Sequence, residues 1–264
     1  RQRLGSPGKG PAAMKEEGLS EAEARKRIYA FNRFGLLVEG CRGIRPGQEN
    51  LLRKREDVAG WKLSGGEDIS LLDVVRNAGI TVLAGVSAQP GAFTEEIVRE
   101  MVRHSERPVI FPLSNPTSKS EAVPADLLRW TDGRALVGTG SPFPPVDVNG
   151  RMVRISQINN SYIFPGLALG ILVSKARRVT DNMIMTAAKT LASLSPARAD
   201  RKEALLPPIA DSRKVGMIVG EAVAEQAVAD GVAEAAGEGS MKERIDAYFW
   251  EPVYLPYERV DSPR

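Results

Sequence analysis

The chain is poor in the two residue types that most often build compact metal sites. Its 264 residues include one cysteine, Cys41, and one histidine, His104. A single cysteine excludes an internal disulfide and any cysteine-rich metal site, and it is compatible with a reducing compartment. His104 ends an amphipathic segment, which is typical of a surface histidine. We therefore expect no metal site within this chain.

Long hydrophobic runs are also missing. The longest apolar segment is the 12 residues from Tyr162 to Val173, which include Pro165 and Gly166, whereas a helix that crosses a bilayer needs about 20 residues. This segment predicts a buried helix and no membrane partner. No secretory signal is visible, and the first residue is Arg1 rather than Met. We expect a cytoplasmic protein whose sequence begins inside a longer polypeptide, so a mitochondrial or plastid location stays open.

The chain has no strong excess of charge of one sign. Its 36 Lys and Arg residues are balanced by 33 Asp and Glu residues, for a net charge of +3. Short basic runs at 25–27 and 53–55 lie among acidic residues and contain no aromatic residues. Nucleic-acid binding needs basic charge clustered on one surface. We predict that these runs are solvated faces and that nucleic acid is not a partner.

A regular alternation of apolar runs and helical patterns occupies residues 69–139. Three buried strands are predicted, at 80–86, 109–113 and 135–139. Three helices are predicted with them, at 69–76, 94–104 and 124–130. Short apolar strands that alternate with helices indicate a parallel sheet that is covered by helices on both faces.

The segments on either side of this alternation are less regular. Before it, a capping box that begins at Ser20 predicts a short helix, residues 28–31 resemble a buried strand, and one exposed helix is expected at 50–58. After Pro145 the pattern becomes helical. It includes an alanine-rich helix at 222–236 and ends in a tail rich in aromatic residues. Such a tail is more typical of packing against a neighbour than of a cofactor site.

Polar, uncharged residues follow the three predicted strands of the alternation. They are Ser87, the pair Ser114 and Asn115, and Ser141. In open α/β sheets, ligands bind beyond the carboxyl ends of the strands. We therefore expect the three loops to line one crevice. The amide of asparagine both donates and accepts hydrogen bonds without a charge, which suits a carboxamide or a hydroxy acid.

The glycine-rich segments do not form a standard phosphate-binding motif. GSPGKG at 5–10 has the wrong glycine spacing for a dinucleotide fingerprint, and GTGSPF at 138–143 follows a late strand. We interpret the first as a disordered terminus. Asn32 and Arg33 follow the run at 28–31, where a dinucleotide fold normally has an acidic residue that binds ribose hydroxyls. This pair would tolerate a 2′-phosphate, but Asn32 fits an ordinary turn equally well.

Several long stretches, in one order, resemble the carboxyl-terminal half of malic enzymes. They include EGLSEAEARKRIYAFNRFGLL, SNPTSKSEAVPADLLRW, GTGSPFPPV and NNSYIFPG. The joint presence of SNPT, GSPF and NNSYIFPG argues against a different dehydrogenase that shares only the fold. The resemblance implies a Rossmann-type doubly wound α/β sheet that is truncated at its N-terminus, followed by a helical C-terminal segment.

The resemblance also implies an activity and domain limits. Malic enzymes oxidise malate with NAD or NADP, release CO₂ and form pyruvate, using Mg²⁺ or Mn²⁺, and we expect a homo-oligomer at full length. Residues 1–159 would form an incomplete dinucleotide-binding domain. Residues 160–230 would pack on a missing catalytic domain, and 231–264 would form the aromatic tail.

By the same resemblance, seven residues acquire roles. Asn115 would contact the nicotinamide end and the substrate, and Asn159 and Asn160 would bind malate, with Asn160 also contacting the cofactor carboxamide. The remaining residues would line the cofactor; they are Asn32, Arg33, Gly85 and Ser87.

The chain departs from the family in ways that bear on activity. The catalytic Tyr and Lys and the metal-binding carboxylates precede the fingerprint in malic enzymes, and none of that half is present here. RQRLGSPGKGPA stands where the fingerprint is expected, and Asn32 stands where the family has Asp. We predict that the chain alone is not catalytic.

The alternative is a non-catalytic, decayed paralogue that binds a nucleotide or a partner. Such a paralogue would have its own start codon near Arg1, whereas a partial sequence would have an open frame upstream.

Overall fold

The fold comes from a computed structural model, which describes residues 10–233, 239–249, 253, 254, 256 and 257. The chain divides into two compact units. The first comprises residues 1–160 and 192–209, and the second comprises 161–191 and 210–264. Most of the GSPGKG segment, residues 5–9, lies outside the described residues.

The first unit contains five helices and six strands among its described residues. The helices are α1 (Gly10–Glu16), α2 (Glu21–Lys26), α3 (Leu71–Ala78), α4 (Glu95–His104) and α5 (Pro124–Trp130). The strands are β1 (Val82–Gly85), β2 (Val109–Pro112), β3 (Leu136–Thr139), β4 (Val146–Val148), β5 (Arg151–Val153) and β6 (Ser156–Gln157). The three predicted strands and the three predicted helices between residues 69 and 139 are thus all present.

Four of the strands form one parallel sheet. Its order is β1-β2-β3-β6, and β4 and β5 form a separate antiparallel pair. In the register, Leu83 lies beside Ile110, and Ile110 lies beside Val137. The predicted parallel α/β sheet is confirmed. Strand β6, which has only two residues, is too short to be recognised from sequence periodicity.

The core of this unit lies between the sheet and helices α3, α4 and α5. Helix α4 shows why these residues form it: the Thr94 hydroxyl caps its first turn, and Ile97, Val98 and Met101 fall on one buried face. They pack with Leu83, Ile110 and Val137 of the sheet, among others. This packing fixes the strand ends that carry the candidate site.

The opposite face of the sheet is not covered at β1. Val82 is 56% exposed and Val86, just beyond the strand, is 68% exposed, whereas Leu83 on the other face is buried. The expectation of helices on both faces is therefore wrong at this strand. The alternation of exposed and buried residues in β1 is the pattern of a strand with one solvated face.

Two other sequence predictions are wrong in the first unit. Residues 28–31 do not form a strand; Phe31 makes only an isolated antiparallel bridge with Leu36. A strand needs a continuous ladder with a neighbour, and here the chain turns back at Asn32. The helix expected at 50–58 is instead two short 3₁₀ turns, Glu49–Leu51 and Arg55–Val58. The capping box at Ser20 is confirmed, with Glu23 as its partner.

The second unit is helical. Its helices are α6 (Phe164–Ser174), α7 (Asp181–Ser193), α8 (Ser212–Ala229) and α9 (Met241–Tyr248). The helical C-terminal part is confirmed. The alanine-rich helix expected at 222–236 is the second half of α8, which ends at Ala229. Its predicted last three residues lie outside the described ranges.

Helices α6 and α8 pack through glycines. A Cβ on Gly166 would lie 2.7 Å from the Gly216 carbonyl oxygen, and one on Gly170 would lie 2.7 Å from the Gly220 carbonyl oxygen. The absence of side chains therefore permits close contact between the two backbones.

The other side of α6 exposes large apolar side chains. Phe164 is 66% exposed and Leu172 is 55% exposed. The helix predicted at 162–173 is present, but only one of its faces is buried within this unit. In the described part of the aromatic tail, Tyr254 and Tyr257 are almost fully exposed. None of the described helices has the length and the hydropathy that a membrane span requires.

Candidate functional site

The carboxyl ends of the four parallel strands bring polar loops to one edge of the sheet. The loop after β1 contains Ser87, the loop after β2 contains Ser114 and Asn115, and the loop after β3 contains Ser141. Hydrogen bonds connect these loops directly. The three loops expected to come together are therefore joined by hydrogen-bonded side chains.

The buried carboxylate of Glu121 joins the first two loops. Its Oε1 accepts a hydrogen bond from the Ser87 backbone N–H at 2.7 Å, another from the Ser87 hydroxyl at 2.9 Å, and one from the Ser114 hydroxyl. The Ser114 backbone N–H is 3.3 Å from Oε2. The Ser114 hydroxyl also accepts from the Ala88 N–H at 2.8 Å. Glu121 therefore holds both loops through one side chain that has no exposed surface.

The backbone is adapted to this arrangement at two positions. A Cβ on Gly85 would lie 2.6 Å from the Glu121 carboxyl carbon and 2.6 Å from the Phe93 ring. Ala88 adopts a positive φ of 55°, which turns its N–H toward Ser114. Gly85, which the resemblance assigns to the cofactor, thus has a packing role in this structure.

The hydrogen bonds around Glu121 also determine its charge. Burial raises the pKa of this carboxyl, but the hydrogen bonds from Ser114 and Ser87 outweigh burial, and the net pKa lies below the usual value. Glu121 is therefore ionised at neutral pH. Because its pKa is lowered by folding, its contribution to stability is present at neutral pH and is lost as the pH falls through that pKa.

Sequence reasoning missed Glu121. It lies between Ser120 and Ala122, six residues after Asn115, and neither helical periodicity nor a capping pattern marks it. Its role depends on two loops that are 34 and 7 residues away in the chain. Only the folded arrangement of the strand ends reveals it.

A second network joins Asn115 to the end of β3. The Asn115 Oδ1 accepts a hydrogen bond from the Ser141 hydroxyl, and its Nδ2 donates to the Leu113 carbonyl oxygen at 3.3 Å. Gly140 lies against both groups: a Cβ there would be 2.1 Å from the Leu113 oxygen and 3.0 Å from Asn115 Nδ2. The amide of Asn115 is thus oriented by its neighbours, while the residue itself is exposed.

Asn159 and Asn160 follow β6, whose carboxyl end lies at the same edge of the sheet. The Gln157 side chain donates to the Gly140 carbonyl oxygen at 3.1 Å, and the Ile158 N–H donates to the Thr139 carbonyl oxygen at 2.7 Å. These bonds anchor the chain just before the asparagine pair. Asn160 is exposed and begins a short 3₁₀ turn, Asn160–Tyr162.

Asn32 belongs to a separate network within a turn. Its Oδ1 accepts from the backbone N–H groups of Phe34 at 2.8 Å and Gly35 at 3.2 Å, and its Nδ2 donates to the Arg42 carbonyl oxygen at 2.7 Å. Arg33 lies over the Phe34 ring, with 4.6 Å between the guanidinium carbon and the ring centroid. The ordinary-turn interpretation of Asn32 accounts for these contacts.

Across the described ranges, no group of three or more His, Cys, Asp or Glu side chains is arranged to hold a metal ion. The single histidine, His104, is at the surface with its Nε2 3.4 Å from Glu100 Oε1. The Mg²⁺ or Mn²⁺ of malic enzymes therefore does not fit the described part of this chain.

Comparison with known proteins gives the same family as the motifs. The model of the malic enzyme NAD-binding domain matches residues 9–228. The chain is 51% identical over 248 residues to the NAD-dependent malic enzyme of Pseudomonas savastanoi pv. phaseolicola, and 48% identical over 249 residues to that of Aliivibrio fischeri. Each alignment covers 94% of this chain and 44% of the relative. The chain thus spans less than half the length of these relatives.

Solved structures of malic enzymes share the fold. The Entamoeba histolytica malic enzyme matches with a TM-score of 0.63 and 25% identity, over 83% of this chain and 40% of that chain. The Pyrococcus horikoshii malic enzyme matches with a TM-score of 0.60 and 24% identity, over 84% of this chain and 45% of that chain. The Rossmann-type architecture is thereby confirmed. Together with the family model, these findings show that the chain belongs to the malic enzyme family and represents its NAD-binding domain.

Proposed function

We propose that this chain is the NAD(P)-binding portion of a malic enzyme. The parent reaction is the oxidative decarboxylation of malate to pyruvate and CO₂, with reduction of NAD or NADP. One observation supports this assignment most strongly: Ser87, Asn115 and Ser141 converge on one edge of the sheet in a chain that matches the family model. Hydroxyl and amide groups at that edge suit an uncharged carboxamide and a hydroxy acid.

The asparagines are proposed to bind the reacting ends of the ligands. Asn115 would contact the nicotinamide end and the substrate, and Asn159 and Asn160 would hold malate, with Asn160 also reaching the carboxamide. The bound nicotinamide supplies a hydride acceptor. These side chains would orient the cofactor and the substrate, because the Asn115 amide is already restrained by Ser141 and Leu113.

Gly85, Ser87, Asn32 and Arg33 are proposed to lie along the cofactor. NAD is supported by the family and by the names of the relatives. Binding of NADP is a separate proposal that depends on Arg33, whose cation would tolerate a 2′-phosphate. Asn32 offers little to a ribose, because both ends of its amide make hydrogen bonds within the turn.

The rest of the enzyme would supply the metal and the acid–base groups. We propose that the ligands of Mg²⁺ or Mn²⁺ and the catalytic residues lie in the part of the relatives that this chain does not span. Residues 1–159 would form the dinucleotide-binding part, and 231–264 the aromatic tail. Residues 160–230 would pack on the remaining part, which is supported by the exposed Phe164 and Leu172 of α6. The complete enzyme would be a cytoplasmic homo-oligomer.

Titration with NAD⁺ tests the location of the cofactor. We expect weak binding by the isolated chain, with amide chemical-shift changes in ¹H–¹⁵N NMR spectra concentrated at Ser87, Gly140 and Asn160. Asn115→Ala should weaken this binding, since it removes the oriented amide. The matched control is Asn77→Ala, because the Asn77 amide bonds to the backbone of Lys62 and of Asp73, neither of which belongs to the candidate site. Shifts confined to the 28–61 segment, or none, would contradict the proposed site.

Turnover is expected to be absent. The purified chain with malate, Mn²⁺ and either NAD⁺ or NADP⁺ should give no increase in absorbance at the wavelength of the reduced nicotinamide, because the chain has no metal site among its described residues. A complete malic enzyme assayed in parallel shows that the conditions support the reaction. Malate-dependent reduction of the cofactor by this chain would reject the prediction.

A further inference from the structure

Glu121 is a buried carboxylate at the carboxyl edge of the sheet. It is a carboxylate without exposed surface, and it makes no ion pair in the described residues. Burial of a charge is costly unless hydrogen bonds replace its hydration. Here the replacement comes from two serines, Ser87 and Ser114, each of which donates through both its backbone N–H and its hydroxyl.

These four donors belong to loops that follow different strands. Ser87 follows β1 and Ser114 follows β2, and Asn115 comes directly after Ser114 in the chain. A single carboxylate therefore fixes the distance between the two loops at the carboxyl edge of the sheet. The Leu113 N–H also donates to the Gly85 carbonyl oxygen at 2.9 Å, so the backbone ladder and Glu121 act on the same pair of loops.

We infer that Glu121 is a positioning residue of the dinucleotide site, which acts by holding the Ser87 loop in register with the Ser114–Asn115 loop. The inference rests on the proposed function, because it concerns the same crevice. Glu121 itself does not touch the ligand, since it has no exposed surface. Its effect on binding passes through Ser87 and Asn115. Hydrogen bonds to a charged acceptor are stronger than those to a neutral one, so the negative charge is part of this role.

The experiment compares Glu121→Gln with the wild-type chain by NMR. Gln keeps the size of the side chain but removes the charge and turns one acceptor into a donor. We expect the amide protons of Ser87 and Ser114 to move upfield, because they no longer face a carboxylate. The dissociation constant for NAD⁺ should rise roughly tenfold, the equivalent of one lost charge-assisted hydrogen bond. Glu106→Gln is the matched control at an exposed position.

A second variant tests whether weaker binding reflects only a general loss of stability. Ser114→Ala removes one donor to Glu121 and the acceptor for Ala88, without altering the charge. The double variant combines Glu121→Gln with Ser114→Ala. If Glu121 acts through these loops, the double variant should bind NAD⁺ no more weakly than the weaker-binding of the two single variants. Additive losses would contradict the inference.

The remaining outcomes separate the inference from the proposed function. Wild-type binding with an unchanged dissociation constant in Glu121→Gln, even if the melting temperature falls, would assign Glu121 a purely structural role and overturn the inference alone. No binding of NAD⁺ to the wild-type crevice would overturn both.

Discussion

Gly140→Ala is expected to unfold the carboxyl edge of the sheet at the candidate site. The new Cβ would lie 2.1 Å from the Leu113 carbonyl oxygen and 2.7 Å from the Leu113 carbonyl carbon. The obstacle is backbone, and Leu113 is held by its N–H bond to Gly85, so no flexible side chain can move aside. We expect the free energy of unfolding to fall by about 3 kcal/mol, which is at the upper end of the range for overpacked sites. We also expect loss of NAD⁺ binding. Urea unfolding followed by circular dichroism measures the first effect.

The control for this substitution is Gly60→Ala. Gly60 also has a backbone conformation that any residue can adopt, but a Cβ there would meet no atom within 4 Å. Its substitution should leave the unfolding free energy within about 1 kcal/mol of the wild type. A Gly140→Ala chain as stable as Gly60→Ala would show that β2 and β3 separate at their ends without cost. That result would remove the basis for a rigid Asn115–Ser141 arrangement.

Gly170→Ala should destabilise the helical unit by an amount between about 1 and 3 kcal/mol. A Cβ at this position would lie 2.7 Å from the Gly220 carbonyl oxygen and 2.7 Å from Val223. To accommodate it, α6 and α8 must move apart along their whole contact, which weakens the packing of Leu169 and Val173 as well. The measurement is the free energy of unfolding from urea titration, monitored by helical circular dichroism.

The same helix pair provides a matched control in Gly216→Ala. Gly216 lies inside α8, and a Cβ there would find its nearest neighbours at 3.8 and 3.9 Å, in ordinary contact. Since alanine favours a helix over glycine by about 1 kcal/mol, this variant should be as stable as the wild type or more stable. If Gly170→Ala and Gly216→Ala behaved alike, the close approach of α6 to α8 would not be the constraint that the distances indicate.

The elements that the sequence predicted well are those with strong local signals. Helix α4 was predictable because Thr94 caps it and its apolar residues repeat on one face. The segment at 28–31 failed for the opposite reason: its apolar run fits a strand, but pairing depends on a neighbour that the local sequence cannot show. The exposed face of β1 likewise could not be predicted from the local sequence, because a valine such as Val82 is expected in the core.

The candidate site was predictable in outline but not in its chemistry. Ser87, Asn115 and Ser141 could be named because parallel strands end at one edge. Glu121 could not, since its partners come from two loops and its charge would ordinarily suggest exposure. Asn32 was correctly recognised as a possible turn residue, and its hydrogen bonds to Phe34 and Gly35 agree with that alternative.

The solvent-exposed face and the terminal position of β1 affect the self-association of the isolated chain. In the described sheet, β1 is the terminal strand, and it presents Val82 and Val86 to solvent. A terminal strand with apolar side chains can add a further strand from another molecule through its unpaired backbone groups. Self-association of this chain should therefore increase with protein concentration, and a lysine at Val82 is the kind of change that natural edge strands use to prevent it.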